Sequence, residues 1–313
     1  MGPKRQKLRF ILQRYMPLAF VGVMVVLMLM PLRPEEKTRL MTAFRDFLHF
    51  PASFILFWIC LNLKWLRWKS FSRETTCAIF VQGFHTVLEL MQPFLHRSAS
   101  WVDWFLGLGG VLAAYLVYKA LLVRGRHWRK RTLLAAVGLA GLGLVPTLLQ
   151  AADRLIVRRD FPMLGSFETR LELKRWNLYG FKGGLSGEHV RAGKHAVRLT
   201  ETKDFSYSGW FMEEMKTDWS PYERLVFSIF WTGAAPRKGD VRVDDLPESS
   251  YAQQGHFTFV LQPGANRIEV PLARLFQTES GRKVEGDKIW KFGISMLEKQ
   301  NQSVLFVDDI RLE

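Results

Sequence analysis

Ionisable and amide side chains interrupt several apolar segments in the first half of this chain, where such groups are energetically costly. One of these segments carries Gln82, His85, Glu89 and Gln92, spaced three, four and three residues apart. A helix places residues with this spacing on one stripe. His49 stands near the start of the preceding apolar segment. Imidazole and carboxylate groups that meet between helices can form ion pairs, bind a polar ligand or transfer protons.

The apolar segments themselves determine where these polar groups lie. We predict five membrane spans, each near the length that crosses a hydrocarbon layer of about 30 Å. They cover approximately residues 16–32, 47–63, 75–94, 104–123 and 132–152. The loops before the first span, between the second and third, and between the fourth and fifth are strongly basic. Because basic loops stay in the cytoplasm, we expect a cytoplasmic N-terminus and a C-terminal domain outside the cytoplasm.

This topology brings five polar residues to a similar depth near the outer membrane face. They are His49, Glu89, Gln92, Arg97 and Asp103. Three interpretations remain open: a structural network, a site where Arg97 holds the phosphate of a lipid-linked glycan, or a catalytic pair of His49 and Glu89. His85 and Gln82 are interpreted as polar packing groups.

The stretch 89–103, followed by a glycine-rich segment, resembles the VanZ-like family of membrane proteins, as does His49 at the start of a second helix. The resemblance covers about residues 10–123. It implies a bacterial cytoplasmic-membrane protein of the cell envelope, in a family named for glycopeptide resistance, but it implies no mechanism. The family usually has an Asn four residues after the Asp, and this chain has Gly107 there. If that Asn completes a polar site in the family, we expect the site of this chain to be altered or inactive.

Charge argues against nucleic acid as a partner. The chain has a net charge of +15, but residues 1–152 carry 20 Lys and Arg against 6 acids, and the remainder carries 24 against 23. The excess is therefore confined to the membrane half, where basic loops set orientation. The two cysteines, Cys60 and Cys77, both lie in apolar segments and indicate no disulfide framework.

After a predicted linker at residues 153–163, the pattern changes to short alternating strands separated by turns. Clear strands are predicted at 225–231, 255–261 and 304–312. The fold class is therefore multidomain, α and β: a helical transmembrane bundle followed by a β-sandwich, or jelly roll, over residues 164–313.

The landmarks of this second domain resemble galactose-binding-like jelly rolls, the fold of many carbohydrate-binding modules. They are Phe167-Glu168, residues 193–199, residues 218–222, residues 263–266 and residues 307–310. The resemblance implies a structural calcium between the first and last strands, with Glu168 and Asp308 as ligands. The alternative is that Asp308 and Asp309 cap a strand. It also implies glycan binding.

Aromatic side chains are the candidates for sugar recognition, because sugars stack on aromatic faces. Trp210, Trp219 and Tyr251 are predicted to bind carbohydrate, with Trp231 a further candidate. The acids form no recognisable glycosidase pair, so we expect a binder more than an enzyme. The hypotheses are an envelope protein that binds membrane lipid and a glycan or lipid-linked glycan, an enzyme acting on that lipid-linked substrate, and a scaffold for another envelope protein.

Overall fold

The computed structural model describes residue 22 and residues 38–63, 70–95, 100–202, 207–215, 217–298 and 303–313. The chain forms two compact units, Met1–Ala151 and Ala152–Glu313. Apart from Gly22, which is helical, the first predicted span lies outside the described residues, as does Arg97.

The first unit is helical in its described part. Its helices are α1 Arg39–Phe47, α2 His49–Asn62, α3 Arg73–Met91, α4 Trp101–Leu122 and α5 Arg126–Asp160, with a 3₁₀ turn at Gln92–Leu95. Ser72 and Ser100 cap α3 and α4 by accepting hydrogen bonds from backbone N–H groups of the first turn. Helix α2 packs closely on α4, since a Cβ at Gly110 would lie 2.1 Å from the carbonyl oxygen of Phe50. Small residues permit such backbone approach between apolar helices.

Three helical stretches among the described residues are long and apolar enough to cross a membrane: Arg39–Asn62, Trp101–Leu122 and Arg126–Asp160. They overlap the second, fourth and fifth predicted spans. Helix α3 occupies the place of the third span, but it is not among them because its charged and amide side chains lower its apolar character. The described residues therefore give three candidate spans, not clearly five.

Most of the predicted linker at 153–163 is helical. Helix α5 continues to Asp160, and β1 begins at Met163. The apolar residues 155–157 extend the helical pattern beyond the predicted boundary. Asp153 accepts a hydrogen bond from Nε of Arg175 at 2.8 Å, so the end of α5 is tied to the β unit's own fold.

The second unit is an antiparallel β-sandwich. Its strands are β1 Met163–Gly165, β2 Trp176–Tyr179, β3 Phe181–Ser186, β4 Ala196–Glu201, β5 Ser208–Met212, β6 Arg224–Trp231, β7 Arg237–Asp244, β8 Gly255–Leu261, β9 Gly264–Pro271, β10 Lys291–Met296 and β11 Val304–Leu312. In the described part, one sheet has the order β3-β4-β11-β6-β9 with β1 also paired to β11, and the other has the order β2-β5-β10-β7-β8. Short helical segments lie at α6 Arg170–Leu173, Tyr251–Gln253, α7 Leu272–Leu275 and Gly286–Lys288.

The inward side chains of both sheets form one apolar core that includes Phe227, Ile229 and Phe292. This core also holds a charged pair, because Nη2 of Arg237 donates to both carboxylate oxygens of Glu201, at 2.9 and 3.1 Å, with both side chains fully buried. The sequence analysis did not predict this pair. The prediction that the helical half of the chain is followed by a β-sandwich is confirmed.

Candidate functional site

Four of the five residues predicted to meet at one membrane face lie together in the helical unit. His49 opens α2, Glu89 lies in the last turn of α3, Gln92 starts the 3₁₀ turn, and Asp103 lies in the first turn of α4. None of the four is more than 5% exposed. The fifth, Arg97, lies outside the described residues.

Glu89 is the centre of this polar cluster. Its Oε1 accepts a hydrogen bond from Nε2 of Gln92 at 2.8 Å, and its Oε2 accepts one from the backbone N–H of Ser100 at 3.1 Å. Nδ1 of His49 lies 3.8 Å from Oε1. On its other side, Nε2 of His49 faces Oδ2 of Asp103 at 3.6 Å. Residues from three helices therefore converge on one buried carboxylate.

His85, which the sequence suggests is a packing group, contacts the members of this cluster. Its Nε2 lies 3.2 Å from Nδ1 of His49 and 3.2 Å from the carbonyl oxygen of Asp103. It also lies 3.7 Å from Oε1 of Glu89. The signal was present in the sequence, because His85 is four residues before Glu89 on the same helical stripe.

Gly107 makes room for His85. A Cβ at Gly107 would lie 2.8 to 2.9 Å from three atoms of the His85 ring. An Asn there, as the VanZ-like pattern has it, would collide with the imidazole. The His85 ring therefore occupies the space that a side chain at position 107 would need. We define the polar cluster as His49, His85, Glu89, Gln92 and Asp103.

In the sandwich, the predicted tryptophans are core residues. Trp210 is 1% exposed, Trp219 is fully buried, and Trp231 is similarly enclosed. Their rings face the space between the sheets, so we correct the prediction that they bind sugar. Tyr251, by contrast, is 60% exposed.

Tyr251 lies at one end of an aromatic surface on the outer side of the five-stranded sheet. Its ring lies over that of His256 on β8, with centroids 4.1 Å apart and planes 30° apart. On β2, Tyr179 stacks against Tyr207 at 6.1 Å and 26°, and Tyr207 is 47% exposed. Strands β2 and β8 are the edges of this sheet, so four strand spacings, roughly 19 Å, separate the two ring pairs.

Between the two ring pairs lies the ring of Phe211, which is 5% exposed beneath two charged side chains. The ring of Phe211 lies directly over Gly293, where a Cβ would be 1.9 Å from it. Because glycine has no Cβ, it alone leaves room for the Phe211 ring at this place. Arg242 and Lys291 both lie over the same ring, 5.9 and 5.3 Å from its centroid.

Acidic partners hold these polar groups in place. Nδ1 of His256 lies 2.8 Å from Oδ2 of Asp240, and Nζ of Lys291 lies 2.6 Å from Oε1 of Glu213. Burial and the negative charge of Asp240 raise the pKa of Tyr251. We call this surface the aromatic face. It consists of Tyr179, Tyr207, Phe211, Asp240, Arg242, Tyr251, His256 and Lys291.

A cleft of about 490 Å³ lies on the outer side of the other sheet. It is lined by Phe230, Asn266 and Arg267, among others. The ring of His189 already stacks on Phe230, with centroids 3.5 Å apart and planes 14° apart. The aromatic surface of this cleft is therefore covered by the protein's own side chain, unlike the exposed rings of Tyr207 and Tyr251.

The residues predicted to bind calcium accept hydrogen bonds from one loop. Oε1 of Glu168 accepts from the backbone N–H groups of Lys194 and His195, and Oδ2 of Asp308 accepts from those of Arg191 and Ala192. Burial raises the pKa of the Asp308 carboxyl, although these N–H groups act against the rise. The N–H groups of Lys194 and His195 lower the pKa of Glu168.

Calcium takes six to eight oxygen ligands, whereas both carboxylates here face nitrogen donors. Asp308 also accepts from the backbone N–H of Asp309 through Oδ1. Asp309 itself is paired with Arg311. The residues as placed do not fit a calcium cage, and they bind the 191–195 loop instead.

Comparison with known proteins finds likeness to solved structures alone. No protein-family model matches the chain, so the resemblance of residues 10–123 to the VanZ-like family has no support from one, and no curated protein matches the chain. An exo-β-agarase is similar at 16% identity and a TM-score of 0.40, over 48% of this chain and 24% of the agarase. This chain thus corresponds to about a quarter of that enzyme's length.

Two carbohydrate-binding modules are similar over nearly their full length. A family 11 module from Clostridium thermocellum, solved with a β-1,3-1,4-mixed-linked tetrasaccharide, has 19% identity and a TM-score of 0.35, over 48% of this chain and 93% of the module. A family 28 module specific for non-crystalline cellulose has 16% identity and a TM-score of 0.34, over 48% and 92%. At these scores, the choice of a ligand depends on the side chains of the sandwich itself.

Proposed function

We propose that this protein is a membrane-anchored, glycan-binding protein of the bacterial cell envelope, and that the aromatic face holds an extended glycan. The observation that carries the proposal is a pair of exposed tyrosines with polar groups between them. Tyr207 stacks on Tyr179 of edge strand β2, and Tyr251 stacks on His256 of the opposite edge strand β8. Sugar rings stack on exposed aromatic faces, while charged and amide groups bind their hydroxyls.

The separation of the ring pairs favours an oligosaccharide over a single sugar. A monosaccharide would reach one aromatic pair, whereas a chain lying across the strands reaches both. Between them, Arg242 and Lys291 offer donors and Asp240 offers an acceptor to hydroxyl groups. The ligand is therefore proposed to be a neutral or weakly charged linear glycan.

The helical unit is proposed to anchor the protein in the cytoplasmic membrane, with its N-terminus inside and the sandwich outside. The three apolar helices and the alternation of basic loops support this orientation. Through its VanZ-like resemblance, the bundle is proposed to engage a lipid-linked cell-wall or exopolysaccharide component.

The test measures glycan binding by the full-length protein purified in detergent. The panel contains mixed-linkage β-glucan, cellulose, xylan and agar oligosaccharides, and calorimetry gives each Kd. We expect saturable binding of at least one member. Tyr251→Ala and Tyr207→Ala should each weaken it roughly tenfold, because each removes one stacking surface of about 1.4 kcal/mol.

The matched control is His189→Ala, which removes an exposed ring from the cleft on the opposite sheet. Its Kd should equal that of the unmodified protein. Weaker binding by His189→Ala with no effect of the tyrosine variants would move the site to the cleft. No binding by any panel member would refute glycan recognition of this class.

A further inference from the structure

We propose that the polar cluster binds a divalent transition-metal ion through His49, His85 and Glu89, and that its donor set favours Zn²⁺. The three donor atoms are Nδ1 of His49, Nε2 of His85 and Oε1 of Glu89. They are separated by 3.2 Å between the two nitrogens, and by 3.8 and 3.7 Å from each nitrogen to the oxygen.

These separations match those around a single ion. In a tetrahedral zinc site with bonds of about 2.0–2.1 Å, neighbouring donors lie about 3.4 Å apart. The observed triangle differs from that edge length by a few tenths of an ångström. One ion would therefore contact all three donors after small side-chain adjustments.

The donor types also suit zinc. Two imidazoles and one carboxylate form a recurrent zinc set that leaves a fourth position open. The carbonyl oxygen of Asp103, 3.2 Å from Nε2 of His85, is a candidate for that position. Because His49, His85 and Glu89 are at most 5% exposed, a cation would offset negative charge that is removed from water.

The surroundings hold the donors as metal sites usually do. Histidines that bind a metal generally direct their second nitrogen towards a carboxylate or carbonyl, and Nε2 of His49 faces Oδ2 of Asp103 at 3.6 Å. Glu89 is fixed by hydrogen bonds from Gln92 and Ser100. The missing side chain at Gly107 gives the His85 ring its place.

The competing interpretation is a metal-free network in which His49 and His85 share one proton. It explains their 3.2 Å contact, and the positive charge of the protonated pair would also attract Glu89 Oε1 towards both rings. A metal explains all three separations together. The two interpretations differ in metal content, which can be measured without an activity assay.

The experiment strips the full-length protein of metal with a chelator in detergent, loads it with Zn²⁺ and removes free ions by desalting. Elemental analysis then gives the metal retained per chain. We expect the unmodified protein to retain one equivalent of Zn²⁺ per chain. His85→Ala and Glu89→Gln should each retain roughly tenfold less Zn²⁺, or even less than that. His127→Ala, which changes an exposed histidine of α5, should retain its equivalent.

A second measurement avoids variants that fail to fold. Co²⁺ added to the stripped, folded protein should give the visible absorption of a four-coordinate site with nitrogen and oxygen donors. Absence of that spectrum, or metal content no higher than in Glu89→Gln, would overturn the proposal. A thiolate charge-transfer band would assign the metal to Cys60 or Cys77 and overturn it equally.

Discussion

The two units bury charged groups in different ways. In the sandwich, the Glu201 carboxylate faces the guanidinium of Arg237, and Ser208 and Ser303 also donate to it. In the helical unit, Glu89 and Asp103 face the imidazoles of the polar cluster. A guanidinium is a permanent cation, whereas an imidazole can donate, accept or bind a metal.

This difference suggests a structural role for the Glu201–Arg237 pair and a ligand-binding role for the polar cluster. Arg237 has a fixed charge and also donates to the carbonyl oxygen of Glu298, so its guanidinium is held by partners on more than one side. The imidazoles have freedom in protonation that a purely structural contact does not require. We therefore expect replacement to cost most in stability at the sandwich pair, and most in ligand binding at the polar cluster.

The largest expected effect is at Arg237. Arg237→Met leaves Glu201 as a buried charge without its guanidinium, which should cost about 3–5 kcal/mol and lower the melting temperature of the sandwich by roughly 10 °C. The double variant with Glu201→Leu should recover most of the loss. Thermal unfolding followed by tryptophan fluorescence checks both, and an equal loss in the two variants would contradict a charge-based explanation.

The same pair gives a pH dependence. Burial alone would raise the pKa of Glu201, but the hydrogen bonds of Arg237, Ser208 and Ser303 outweigh it and hold the pKa below the ordinary value. A lowered folded-state pKa contributes stability that is present above the unfolded pKa and is lost as pH falls through the folded pKa. The loss of stability at acidic pH should therefore be smaller in the double variant Arg237→Met, Glu201→Leu than in the unmodified protein.

A smaller effect is expected from Gly107→Asn. The new Cβ would lie within 3 Å of the His85 ring, so overpacking should cost about 1–3 kcal/mol and displace the imidazole. Adding His85→Ala should restore much of the stability, because the space is then free. Melting temperatures of the single and double variants in detergent test this. An unchanged single variant would show that the ring moves aside at no cost.

The smallest effect concerns Asp308. Asp308→Asn should lower stability by about 1–2 kcal/mol, because Asn keeps one acceptor oxygen and places an NH₂ donor where the other carboxylate oxygen accepts from backbone N–H. The decrease should be the same with calcium and with a chelator. A melting temperature that rises with calcium in the unmodified protein, and not in the variant, would reinstate the calcium site.

Strand positions were readable from the sequence because alternation reports burial directly. The predicted strands at 255–261 and 304–312 coincide with β8 and β11. Where both faces of a strand are buried, the alternation of residue types does not show which face points away from the core. Strand β5 is such a case, because all five of its residues are buried. Trp210 was therefore misassigned to a surface.

The polar cluster was only partly predictable for another reason. The helical stripe and the topology brought Glu89 near His49, but the role of His85 depends on Gly107 of a different helix. Such complementarity between distant positions is not encoded in local spacing. The aromatic face was missed because its members come from separate strands, and only Tyr251 was recognised.

Strand β11 has a consequence for how the sandwich folds. It pairs with β1, β4 and β6, so a segment at residues 304–312 joins strands that begin 80 to 141 residues earlier. Contacts this distant in sequence make folding slow, because a long loop must close before they form. The six-stranded sheet cannot be completed until residue 312 has been synthesised. Until then, the edges of β4 and β6 stay open to wrong pairings, and a chaperone that shields them would raise the yield of folded protein.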